Sequence, residues 1–390
     1  MYDLVVIGQG FTGMLSAIWA KEEGASVAII SQGTGKILQS TGVMDILPGT
    51  EGTMNDLIRE YQIKGWNSLF IEGGIKRFKT MMKRLGNPYQ GSIQQPVQIV
   101  TGSGYLKSTA LYPSTITPIP ETGHIVVIGF QEISDFQPTY VAENLASERP
   151  ELTIDHFSIS LGHRSLRTMT QLDAARLLEQ EEIRNQVIAG IKRKMKSLSI
   201  STPDLVIIPS VLGVIEWKKV WEDFTNQLSA KVTEAVGMPP NATAIRLHEQ
   251  LRKEMTRLGV RQYMNSKVIG RKQGKQMIES VMVRNTNQTI SIEGKAFVLA
   301  TGGILGGGME QMVNGITETA LGLEVDQKGN LINPYDNLYL VGASQGLHVT
   351  RYGITGGIFS ILSSFQAIIK NYYCQPLGGE QDDQLTRHQL

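Results

Sequence analysis

The chain is 390 residues long and carries 37 Lys+Arg against 36 Asp+Glu, a formal net charge of +1, with 41 glycines and one cysteine. One thiol excludes a cysteine-ligated iron–sulfur cluster, a thiolate zinc site and an internal disulfide, as expected of a reducing cytosol. Near-neutral charge excludes a nucleic-acid binder that neutralises many phosphates, and 41 % hydrophobic with 19 % charged residues excludes wholesale disorder. Length allows roughly two to three domains, or one large discontinuous one.

Met1-Tyr2-Asp3 runs straight into Leu4-Val5-Val6-Ile7 with no basic stretch or cleavage site, so no secretory signal is expected. The apolar run reads as a buried parallel strand. Gly8-Gln9-Gly10-Phe11-Thr12-Gly13 follows and opens a helical pattern through Trp19, and a second strand covers Ser26 to Ile30. This is a βαβ unit built to receive a dinucleotide. Gly8 permits the tight turn, Gly10 lets backbone approach a pyrophosphate, and Gly13 lets helix lie against strand. The helix N-terminus offers N–H groups and positive dipole to the phosphates. An acidic residue normally ends the second strand and binds the ribose hydroxyls. Here Ser31 or Gln32 holds that place.

The middle of the chain predicts a helix near Ile71 to Leu85 and strands at 97–100, 125–128 and 205–208. A single charged helix is expected from Asp173 to Leu198. Beyond it come a helix from Arg246 to Leu258 and a strand around Val268, which is counted with the cofactor-binding candidates. Met277 to Val283 alternates as in a hairpin or meander. Ala296 to Leu299 is another buried strand, leaving through Ala300, Thr301, Gly302 and Gly303. Asn337 to Val341 is a further strand, followed by Gly342, Ala343, Gly353, Gly356 and Gly357. Ile354 to Tyr373 is strongly apolar, but Ser360, Ser363, Ser364, Gln366 and Lys370 interrupt it. A half-buried amphipathic helix is predicted there, not a membrane span. The expected architecture is α/β, a Rossmann-like FAD/NAD(P)-binding flavoprotein fold. Its discontinuous nucleotide unit, at 1–60 and 240–390, surrounds an inserted α+β domain at 61–239.

The N-terminal glycine cluster, the Ala-Thr-Gly strand end and the Asn-Leu-Tyr-x-x-Gly-Ala strand together resemble the two-dinucleotide-fold flavoproteins. That resemblance implies a flavin in preference to a nicotinamide. Gln39 to Leu47 is similar to the Ser-Ser-Gly-Ser-Leu-Asp-Leu-Leu segment of the B-subunit family of anaerobic glycerol-3-phosphate dehydrogenase. Thr101 to Thr109, Gly129-Phe130 with Asp135 to Pro138, Arg246-Leu247-His248 and Arg351-Tyr352-Gly353 also resemble that family. It implies Ser40, Thr41 and Gly42 as further cofactor contacts. It implies FAD, with FMN as the alternative. It also implies a partner flavoprotein subunit, and an iron–sulfur membrane-anchor subunit that passes electrons to quinone. The lone cysteine suits this, because any cluster must sit on another chain. The expected location is cytoplasmic, or peripheral on the cytoplasmic membrane face through a partner.

Oxidising a secondary alcohol needs a base for the hydroxyl proton and a cation for an anionic substrate group. Arg351 is the candidate anion clamp, His348 the candidate base, and Lys107 a third catalytic candidate facing flavin or phosphate. Arg246, His248 and the pair His163-Arg164 are weaker candidates, and Arg246 can instead pair with a sheet carboxylate. No metal-ligand spacing occurs among the six histidines. The reading is a flavoprotein subunit of a quinone-linked glycerol-3-phosphate dehydrogenase. Its alternatives are a non-catalytic electron-relay or assembly subunit, and a free-standing FAD-dependent oxidoreductase on another hydroxy acid.

Overall fold

Strands whose residues are all apolar need cover on both faces, and the chain supplies it. The computed structural model describes residues 1–47, 52–61, 63, 65–162, 168–237, 240–313, 315–350 and 355–373. The chain begins with β1 (Tyr2–Ile7), α1 (Phe11–Glu22), β2 (Val27–Ile30), α2 (Met54–Glu60) and α3 (Ser68–Arg84). Short strands β3 (Tyr89–Gln90), β4 (Val97–Val100), β5 (Leu106–Thr109) and β6 (Tyr112–Pro113) lead to β7 (Gly123–Phe130), α4 (Pro138–Glu148) and β8 (Leu152–Ile159). Next come α5 (Gln171–Leu178), α6 (Glu181–Ser197), β9 (Leu205–Ile208), α7 (Trp217–Leu228), β10 (Lys231–Glu234) and α8 (Ala242–Arg257). The remainder is β11 (Arg261–Tyr263), β12 (Lys267–Gln273), β13 (Ile278–Arg284), β14 (Thr289–Leu299), β15 (Met309–Met312), β16 (Gly315–Glu318), β17 (Leu338–Leu340) and α9 (Gly357–Tyr373).

The principal sheet runs β11-β2-β1-β14 in parallel, with β17 parallel on β14 and an antiparallel β14-β13-β12 meander. β14 changes partners halfway. Its first residues alternate exposed and buried beside β13, whereas Ala296 to Leu299 are continuously buried between β1 and β17. Successive side chains of β1 sort to opposite faces. Leu4 and Val6 join the helical layer of α1, α3, α8 and α9, and Val5 and Ile7 join the layer of the meander. A second, four-stranded sheet of order β10-β9-β7-β8 is parallel throughout and has its own core with α4 to α7.

Two expectations change, and one, the amphipathic helix near the C-terminus, is met and sharpened. The helix predicted over Asp173 to Leu198 is two, because Gln180 is extended and separates α5 from α6. There the Glu179 carboxylate accepts the backbone N–H groups of Val214, Ile215 and Glu216 at 2.6, 2.5 and 3.0 Å. The C-terminal helix, α9, is more than half buried, wedged against α1 and α3. Its serines face inward, Ser364 donating to the Thr12 carbonyl and Ser363 accepting from Gly342 N–H. Secondly, α3, inside the expected insertion 61–239, buries Ile71, Phe78 and Met82 in the first core. Tyr89, Ile93, Ala110 and Leu111 join the same core, so we propose that the insertion starts after Leu111.

The two sheets are joined by a buried ion pair. Arg246 on α8 and Glu234 on β10 are 1 % and 0 % exposed, bonded through Nη2 at 2.6 and 2.8 Å. Arg246 also donates to Gly213 O and Thr115 Oγ1, while Glu234 accepts Leu212 N–H. This is the sheet-carboxylate alternative for Arg246. Replacing Arg246 by Met strands a buried carboxylate, and denaturant unfolding should show a loss of about 3–5 kcal/mol. Pairing Arg246→Met with Glu234→Leu should recover much of that loss.

Candidate functional site

The parallel strands β1, β14 and β17 end together, and the carboxyl ends of parallel strands are where such sheets bind ligands. Three glycine-bearing exits meet there. Gly8 has φ +107° and lies so close to β14 that a Cβ would sit 2.3 Å from Ala300 O. A Cβ on Gly13 would meet Gly8 O at 2.0 Å, so α1 is drawn against the strand. Gly10 is the opposite case. It is the N-cap of α1, supplies no side-chain cap, and has nothing within 4 Å of the place of a Cβ. Uncapped N–H groups beside open space at a long helix's N-terminus suit a pyrophosphate. The residues present therefore fit a dinucleotide.

The other exits support this turn. Gly302 N–H donates to Ser344 Oγ at 2.8 Å, and Thr301 Oγ1 lies 3.5 Å from the same oxygen. Thr12 packs against Gly342, and Ala343 O lies 3.4 Å from the place of a Cβ on Gly303. The Phe11 ring makes an edge contact with Phe78 of α3 at 6.1 Å, so it is the Phe11 backbone that faces the helix N-terminus. Ser40 and Gly42, on either side of Thr41, rest on the start of α8. Ser40 O accepts Asn241 Nδ2, and Gly42 lies against Thr243. Gly356 and Gly357, just before and at the start of α9, lie against the backbone of Met44, Asp45 and Ile46. Asp45 O accepts the N–H of Ile358 at 3.1 Å. Val268 is a core residue of the meander, paired with Val283 and 4 % exposed. Its side chain is thereby committed to packing.

At the end of β2 the structure decides between two residues. Ser31 is 3 % exposed and donates its hydroxyl to Gln9 Oε1 at 3.0 Å, while Gln9 Nε2 reaches Gln262 at 3.4 Å. Gln32 is exposed. The serine hydroxyl is thus engaged by a glutamine from the glycine turn itself, and Gln32 is the freer donor. Nothing in the sequence singles out Gln9, which fills the variable place between two glycines.

The catalytic candidates separate. Lys107 Nζ pairs with the buried Asp45 carboxylate. Burial pushes the Asp45 carboxyl up, opposed by the Lys107 charge. Lys107 therefore spends its charge inside the protein. His348 follows β17, and its Nδ1 lies 2.5 Å from Asn330 Oδ1. Burial holds its imidazole below the usual range, partly opposed by Asp326. His248 is buried beside Glu249, and burial lowers it likewise. Arg351, Gly353 and the pair His163-Arg164 lie outside the described residues. Among the described residues no cluster of His, Cys, Asp and Glu could hold a metal. No described helix is long and apolar enough to cross a membrane.

The family described as "FAD binding domain" matches residues 3–356. Two proteins named as the B-subunit of anaerobic glycerol-3-phosphate dehydrogenase illustrate the relatives. The one from Mannheimia succiniciproducens is 24 % identical over 79 % of this chain and 75 % of its own. That from Aliivibrio fischeri ES114 is 23 % identical over 96 % and 88 %. Among solved structures, a 3-ketosteroid Δ1-dehydrogenase from Sterolibacterium denitrificans aligns with TM-score 0.34 and 15 % identity over 78 % of this chain. A flavocytochrome c3 fumarate reductase aligns with TM-score 0.30 and 12 % identity over 77 %. The chain spans 48 % and 34 % of those two structures.

The glycines predict two distinct outcomes. Gly10→Ala should leave the melting temperature of the apoprotein unchanged and weaken FAD binding by about tenfold or more in a titration. Gly13→Ala forces a carbonyl contact, so thermal unfolding of the apoprotein itself should shift down.

Proposed function

The chain belongs to the FAD-binding domain family, and from that premise we propose that it is a flavoprotein subunit of a quinone-linked glycerol-3-phosphate dehydrogenase. FAD is its cofactor and oxidoreduction its chemistry. In this reading glycerol 3-phosphate becomes dihydroxyacetone phosphate, and electrons leave through a separate iron–sulfur subunit. The observation that carries it is the match to B-subunit proteins over as much as 96 % of the chain, inserted region included. The single cysteine supports it, since any thiolate-held cluster belongs to a partner.

Gly8, Gly10 and Gly13 with the first turn of α1 would hold the pyrophosphate, and Gln32 would meet the adenosine ribose. Bound FAD supplies the two-electron acceptor for the hydrogen leaving carbon as hydride. The chain's own task is the remaining proton. Neutral His348, kept so by burial, accepts the substrate hydroxyl proton at its ring nitrogen. Arg351, four residues short of the described stretch that opens α9, is the proposed clamp for the substrate phosphate. Lys107 is not assigned that role, because Asp45 already neutralises it.

That neutralised lysine favours a second reading, a relay subunit whose partner oxidises the substrate. Anaerobic mixing of the purified, FAD-loaded chain with glycerol 3-phosphate separates them. The flavin absorbance should bleach without any partner. Bleaching that appears only when the reduced partner flavoprotein is added would establish the relay, and a chain that cannot be loaded with FAD would refute both.

A further inference from the structure

Residues 326–330 form a turn that is tied to the segment carrying His348. Asp326 Oδ1 accepts the N–H groups of Lys328 and Asn330 at 2.8 and 2.9 Å. The turn then meets residues 345–347 through Leu331 N–H to Gln345 O, and Leu347 N–H to Gly329 O at 2.9 Å. Gly346 has φ +137°, and a Cβ there would sit 2.5 Å from Asn330 Cα. Close backbone approach is thus built in, and it puts the Asn330 amide on the imidazole.

The hydrogen-bond directions along this chain are forced. Asp326 carries an ionised carboxylate held below the usual range by its backbone and Asn330 hydrogen bonds, and a carboxylate only accepts. Its Oδ2 lies 3.2 Å from Asn330 Nδ2, so the amide nitrogen faces Asp326 and the amide oxygen faces the histidine. An amide oxygen also only accepts, so the 2.5 Å contact requires the proton on His348 Nδ1. We infer that Asp326 and Asn330 are positioning residues that lock His348 in the Nδ1–H tautomer, leaving Nε2 as the proton acceptor. Among the described residues no hydrogen bond engages Nε2. Asp326 is the charged group these elements bring to the ring, and burial outweighs it, so the ring stays neutral. The same logic orients histidines elsewhere, where the bond made by one ring nitrogen decides what the other can do.

The consequence for catalysis rests on His348 as base, whereas the tautomer does not. The test is long-range 1H–15N correlation on full-length, FAD-loaded protein labelled with 15N-histidine, with His348→Gln assigning the signal. The expected spectrum has Nδ1 protonated and Nε2 bare at neutral pH. Asp326→Asn keeps an acceptor for the turn but frees the Asn330 amide to invert, so mixed tautomers should appear; Asn330→Ala should do the same. In anaerobic mixing both variants should keep their FAD and apparent KM while flavin reduction slows by about ten- to a hundredfold. A wild-type proton on Nε2, or a tautomer unmoved by both substitutions, overturns the inference. With the tautomer confirmed, failure of glycerol 3-phosphate to reduce the wild-type flavin removes the base assignment alone.

Discussion

The salt bridge between Arg246 and Glu234 is the constraint on which the arrangement of the two sheets depends. A guanidinium and a carboxylate withdrawn from water each lose solvation on the order of several kcal/mol, unless every donor and lone pair is met. Here bidentate pairing, two further acceptors for the arginine and a backbone donor for the glutamate meet that demand. Such a network tolerates little displacement. It fixes the start of α8 against β10, and the start of α8 is where Gly42 and Ser40 rest. Met44, Asp45 and Ile46 are thereby carried to the N-terminus of α9. One interior ion pair therefore reaches, through short contacts, from the second sheet to the edge of the proposed nucleotide site.

The site itself is governed by how near backbone can come to backbone. Gly8, Gly13 and Ala300 pack with no room for a side chain, so α1 points its uncapped end at a fixed place. Gly10 alone of that set faces open space, which leaves room there for the proposed dinucleotide. On the same edge, Ser344 and Ser363 bond the strand exits at Gly302 and Gly342. The inward serines of α9 are thus adhesive, although in the linear sequence they read as interruptions of an apolar face.

Much of this is legible in the sequence because it is local. Strand, turn and helix over residues 4–19 follow from a run of apolar residues, three glycines and a helical period. The alternation over Met277 to Val283 likewise announces the antiparallel meander that the structure shows at β12, β13 and β14. The features that the sequence hides are decided at a distance. Glu179 reads as one more charge on a solvated helix, yet its bonds to residues 214–216 accompany the break between α5 and α6. Lys107 reads as a free cation, and Asp45, 62 residues away, neutralises it. Val268 reads as available and is committed to the core.

The sequence by itself pointed to the α/β flavoprotein fold, to a flavin with FAD and FMN both open, and to residues 8–13 as the candidate phosphate turn; the match of residues 3–356 to the FAD-binding domain family decides for FAD. Periodicity and glycine spacing act over a few residues, so they can be read along the chain. Only the tertiary structure decided the partners of the polar residues. Ser31 is spent on Gln9, Arg246 on Glu234, and Lys107 on Asp45. His348 is oriented by an asparagine 18 residues earlier. Desolvation and hydrogen-bond direction act between groups brought together by folding, and spacing along the chain carries no record of them.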